Sequence, residues 1–163
     1  MPTASPNYGA AATLTMTLAS LASDVNLVAG RASTNVNNGA AGADAIDALV
    51  GGKVTTGTSP TVDRQIEVWA YGTYDGTSYS GGATGTDANL TPQAKGLMRL
   101  LTVIPTDATS NKTYTWGPVS LAQAFGGMLP ERWGIYIVHN TGVALNATGS
   151  NHEVRYTPVK IES

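Results

Sequence analysis

His139 and His152 are the only histidines in this sequence, and Glu153 adjoins the second. If the strand-like runs 133–138 and 153–160 pair as a regular hairpin, the turn centres between Leu145 and Asn146 and brings the two imidazoles together. Such a pair can hold a divalent metal or move a proton. No third ligand stands at a diagnostic spacing, however, and the long connection 140–151 does not hold register. The favoured reading is therefore two polar residues at a loop mouth.

The other candidate chemistries are weaker. Gly51-Gly52-Lys53-Val54 is not a phosphate loop, because Asp47 stands where the first glycine belongs and Val54 where a Ser or Thr must follow the lysine. The glycines of 82–87 follow no strand into a helix and read as turn-formers. Asp75, Asp87 and loop carbonyls could hold Ca²⁺, but the alternating pattern of an EF-hand loop is missing. Ser78, Ser80 and Ser150 lack a nucleophile-elbow context. Asn89, Asn111 and Asn146 open glycosylation tripeptides, read as chance matches in a Thr-rich chain. With no cysteine there is no thiol catalysis, thiolate metal site or disulfide. The expectation is a chain with no catalytic residue, metal or cofactor.

Trp69, Trp116 and Trp133 with Tyr71, Tyr74 and Tyr79 could form a sugar-stacking platform. Core and subunit interface are the favoured alternatives, since aromatic residues concentrate at interfaces. The interface residues expected are Pro2, Pro6, Tyr8, Trp69, Tyr71, Tyr74, Tyr79, Asn140 and Asn151.

These residues need elements to hold them, and the apolar pattern is that of strands. Residues 13–18 alternate, with Leu14, Met16 and Leu18 on one face and threonines on the other, giving the clearest strand. Further strands are expected at 27–33, at 44–56 with a bulge at Gly51-Gly52 and a helix over 44–49 as the competing reading, and at 64–71. Another, at 97–104, is apolar on both faces and reads as central, ended by Pro105. The run 113–121 changes phase at Gly117-Pro118, and 122–125 is one helical turn. The last two strands, 133–138 and 153–160, are read as a closing hairpin. In 64–71 two aromatics, Trp69 and Tyr71, sit on the nominally wet face and need cover. Eight strands without a long amphipathic helix predict an antiparallel β-sandwich of residues 13–163, a jelly roll before the alternative of an immunoglobulin-like sandwich, with residues 1–12 an extended arm that docks elsewhere.

The 163 residues suffice for one domain, which buries about 70% of its unfolded surface. Charged residues are only 12% and net charge is −2, so no basic field exists to neutralise nucleic acid or an anionic membrane. No run approaches the length of a membrane span, and residues 1–12 do not have the basic start and apolar run of a signal peptide. So little charge departs from the mixed-charge surface that keeps free monomers apart, which predicts a chain packed against others.

Ala70-Tyr71-Gly72-Thr73, Ala83-Thr84-Gly85-Thr86-Asp87, the run 125–135 (Phe-Gly-Gly-Met-Leu-Pro-Glu-Arg-Trp-Gly-Ile) and the run 147–154 (Ala-Thr-Gly-Ser-Asn-His-Glu-Val) together resemble small virion proteins of tailed bacteriophages. The resemblance spans about residues 14 to 160 and is to capsid decoration, or cement, subunits with jelly-roll sandwiches. It implies a homo-oligomer, a trimer before a dimer, on the outer capsid surface and bound to the major capsid protein. It brings no catalytic residue. The rival expectations are a tail, neck or head-fibre component of the same virion, and a carbohydrate-binding module for host attachment.

Overall fold

The computed structural model describes residues 4–41 and 43–162, so Pro2 lies outside the described residues. Among these, eleven β-strands form two antiparallel sheets packed as a sandwich, in agreement with the all-β expectation. In chain order they are β1 (Ser5–Tyr8), β2 (Ala12–Thr13), β3 (Gly30–Ala32), β4 (Val36–Asn37), β5 (Asp47–Thr55), β6 (Arg64–Gly72), β7 (Ala88–Leu90), β8 (Arg99–Thr106), β9 (Thr113–Ser120), β10 (Arg132–His139) and β11 (Glu153–Glu162). One helical turn, α1 (Leu121–Ala124), is capped by the Ser120 hydroxyl, which accepts from the Gln123 amide. The first sheet runs β1-β11-β5-β9, with β2 also on β11. The second runs β7-β3-β10-β6-β8, with β4 also on β10.

The expected closing hairpin is not formed: β10 is central in the second sheet and β11 lies in the first. The connection 140–151 is long enough to cross between sheets. In β10, Trp133, Ile135 and Ile137 then face the interior, where Ile66, Val68 and Ala70 meet Val50, Val54 and Val154 of the other sheet. Burial of each aliphatic side chain there contributes about 1.5–3 kcal/mol.

The opposite face of β10 and β6 is also apolar and carries Tyr136, Val138 and Tyr71, each 0% exposed. The cover comes from the chain itself, because Met98 and Ala83 of the segment between β6 and β8 pack on this face as a second core. Gly134 makes room for it. It stands in register opposite Tyr71, whose ring occupies the place a Cβ would take.

Residues 13–18 alternate in burial as expected, yet only Ala12–Thr13 pair in a ladder. Beyond them the chain crosses between the sheets, with the Leu14 amide on Val154 O and Thr15 O accepting from the Thr34 amide. Period-two burial reports extended backbone along a core and not pairing. The N-terminal segment, expected to dock elsewhere, pairs with β11 of its own chain, and all four β1 residues are exposed.

The 97–104 run is neither central nor ended by Pro105. β8 is an edge strand that pairs only with β6 and continues through Thr106, leaving Leu100 47% and Val103 41% exposed. The Asn140 amide bonds Gln65 O, which sets the alternation of β6: odd residues bond β10 and even ones bond β8. Val103 and Pro105 therefore turn their main chain to the open edge, where the proline's missing N–H breaks no pair. The same alternation puts Pro6 on the open side of β1, because the Gly9 amide bonds Pro158 O and the next inward residue is Asn7. Pro118 likewise faces outward on β9, since Val119 is the residue paired with Val50. Here Gly117 has φ 83°, and a Cβ on it would stand 2.5 Å from Val50 O. The phase change at Gly117-Pro118 and the bulge between Val50 and Gly52 are thus two sides of one irregularity.

Candidate interaction surfaces

The two histidines are buried pins of the crossover, not polar residues at a loop mouth. His139 ends β10 at 0% exposure, with Nε2 3.0 Å from Leu21 O and Nδ1 3.0 Å from the Thr141 hydroxyl. His152 precedes β11, where Nδ1 accepts from the Thr55 amide at 3.3 Å and Nε2 lies 2.8 Å from Asn146 O. A carbonyl can only accept, so each ring carries its proton on Nε2. No ring nitrogen is left for a metal. Burial is the largest influence on both rings and lowers their pKa; hydrogen bonds to Leu21 and Ala22 oppose this for His139, and one to Asn146 for His152.

The sign of the pH dependence follows. Both rings take up a proton more readily unfolded, so their contribution is complete above the unfolded value near 6.5 and is lost as pH falls below it. Thermal denaturation should give a constant melting temperature from about pH 8 to 7 and a decline from about pH 6.5 to 5. His139→Gln combined with His152→Gln should flatten that decline, at a cost of about 3 kcal/mol at neutral pH. An unchanged slope in the double variant would show that other groups set it.

Asp75 and Asp87 do not converge on a cation. Asp75 accepts from the Thr77 amide at 2.9 Å, the Ser78 amide at 2.6 Å and the Ser78 hydroxyl at 2.7 Å. These bonds, Ser78's first, hold its carboxyl below the usual range. Asp87 binds Arg31 Nε at 2.6 Å and both the amide and hydroxyl of Thr17. Burial would raise its pKa, but these partners outweigh burial and lower it. Ser80 Oγ accepts from the Gly72 amide at 3.2 Å, a structural role.

The aromatic residues form no common platform. Trp116 and Trp133 are inside the sandwich at 6% and 1% exposure. Tyr71 is fully buried and donates to Ser33 O at 2.6 Å, so it has no surface to offer a second chain, contrary to expectation. Tyr79 is half-buried and packs edge-on against Tyr71 at 5.6 Å. Trp69, also half-buried, donates to Glu67 Oε2 at 2.9 Å, and Lys95 lies 5.3 Å above its ring while pairing with the same carboxylate at 2.6 Å. Asn140 and Asn151 are half-buried and bond Gln65 N and Asn146 Oδ1. Of the expected interface residues, Pro6, Tyr8 and Tyr74 are exposed, Tyr74 to 90%.

Exposed apolar side chains that the sequence reading did not select extend from Tyr74. Leu97 shares a hollow with it, lined also by Arg99, Phe125 and Pro130, and the following connection exposes Met128 to 81%. Leu100 and Val103 continue the apolar surface along β8. A second concavity lies on the outer face of the first sheet between Tyr8, Lys53, Pro118 and Arg155. Set against family models, curated proteins and solved structures, the chain matches none.

Proposed function

We propose that this chain is a structural subunit of a tailed-bacteriophage virion that decorates the capsid, binding the major capsid protein lattice as a homo-oligomer. The supporting observation is the exposed apolar surface of Tyr74, Leu97, Leu100 and Met128 on a chain with only 12% charged residues. Such a surface favours association and is stable once covered. Jelly-roll connectivity belongs to this reading, as does the choice of a trimer.

The first test is occupancy: the purified chain should rebind particles stripped of it, at copy numbers on the scale of the lattice. Copies confined to one vertex would favour a tail, neck or head-fibre part instead. Sedimentation at micromolar concentration should show an oligomer, and Tyr74→Ser with Met128→Ser should shift it towards monomer. Deleting residues 1–8 should move the melting temperature by no more than about 3 °C, because β1 buries no side chain. It should weaken rebinding if the arm is a contact. Unchanged rebinding would place the contact on the Tyr74 surface alone.

A further inference from the structure

The outer face of the first sheet contains a trough of about 530 Å³ that the proposed lattice role does not use. Its floor is made where side chains are missing. Gly51 of β5 and Gly117 of β9 approach so closely that a Cβ on Gly117 would lie 2.6 Å from the Gly51 Cα. Tyr8, 61% exposed, and Pro118 wall the two sides.

The polar side chains stand around this floor and not in it. β5 is paired on both sides, so its main chain is occupied by β11 and β9. Hydrogen bonding is left to side chains of Lys53, Thr115, Glu153 and Arg155. Lys53 is in register with both Glu153 and Thr115, while Arg155 is in register with Gly51. Lys53 is half-buried, and its side chain makes no hydrogen bond or ion pair among the described residues. The Arg155–Glu153 contact is long, 3.7 Å. The trough thus has one cation without a carboxylate, a second held loosely, and a single anion.

We propose that this trough binds an anionic saccharide, a pyranose carrying a carboxylate. Its flat C–H face fits a floor that carries no side chain, with Tyr8 and Pro118 against the ring edges. The carboxylate pairs with the Lys53 ammonium, and ring hydroxyls donate to Glu153 and accept from Arg155 and Thr115. An extended peptide fits less well, since it would need main-chain partners that the floor does not supply.

The test uses the full chain labelled with ¹⁵N and titrated with trigalacturonate, maltotriose and inorganic phosphate in turn. Trigalacturonate should give saturable shifts centred on the amides of Gly51, Gly52, Lys53 and Gly117. Lys53→Ala should weaken binding about tenfold and Tyr8→Ala several-fold, both at an unchanged melting temperature. The proposal is overturned if no shift saturates, if maltotriose binds as tightly, if phosphate alone reproduces the shifts, or if Lys53→Ala binds unchanged. The measurement is made on the isolated chain, so its failure leaves lattice binding standing, and failed rebinding to shells leaves the trough standing.

Discussion

Ile135→Asp should yield no folded protein. Ile135 is 0% exposed at the middle of β10, between Ala70 of β6 in register on one side and Ser33 on the other, where its amide donates to Ser33 Oγ at 3.0 Å. The substitution removes about 2–3 kcal/mol of apolar burial and puts a carboxylate among Val, Ile and Trp side chains, where the unpartnered indole N–H groups of Trp116 and Trp133 are neutral donors that do not balance its charge. Several further kcal/mol are lost by leaving a charge unpartnered there, against a total stability of about 5–15 kcal/mol. Far-ultraviolet circular dichroism and amide dispersion should show an unfolded or aggregated chain. Ile135→Val, which keeps the strand face apolar, should cost only about 1 kcal/mol and melt cooperatively. A cooperative transition in the aspartate variant would mean that this interior is far looser than its packing.

Lys95→Ala should loosen one layer and leave the other intact. Glu67 is 8% exposed and receives hydrogen bonds from Gln65 Nε2 at 2.8 Å, Trp69 Nε1 at 2.9 Å and Lys95 Nζ at 2.6 Å. Lys95 alone among these comes from the covering segment, so it is one of two charged ties between that segment and the second sheet, the other joining Asp87 to Arg31. Its removal leaves a nearly buried carboxylate with two neutral donors, at a cost of about 2 kcal/mol, below the fully buried case because the lysine is partly solvated. Hydrogen exchange should speed up at the amides of Ala83, Gln93 and Met98, whose bonds lie within the cover. Amides of Val50 and Val54 in β5 should keep wild-type protection. Uniform acceleration across both sheets would show that the cover and the sandwich open as one unit.

The sequence reading reached the strands that bear a period. Ile66, Val68 and Ala70 alternate against Glu67, Trp69 and Tyr71, and the paired glycines at 51–52 mark the bulge where it occurs. β3 falls inside the expected 27–33 run but is shorter, and β4 and β7 were missed, since two or three residues are too few to show a period. Sheet membership was hidden because pairing is settled by contacts between residues far apart in the chain. β10 and β11 look like neighbours in order, yet β10 pairs with residues 66–72 and β11 with residues 47–53. Tyr71 looked like a contact residue because its cover, Met98, lies beyond a glycine-rich stretch with no apolar signature. The trough was illegible for a similar reason. Tyr8, Lys53, Thr115 and Arg155 come from four strands, and the residues that open it are glycines, which the sequence presents as breaks.

The outward-facing prolines have a colloidal consequence. Open strand edges are where folded chains stack into fibres, each copy offering its free N–H and C=O groups to the next. Here β1, β8 and β9 each lack a donor at the position such stacking would use, and the remaining edge strands among the described residues, β2, β4 and β7, are two or three residues long. A concentrated solution should therefore thicken or form discrete particles through side-chain faces before it gels into amyloid. Pro105→Thr, which restores a donor beside the exposed Val103, is the change that should turn this chain fibrillar.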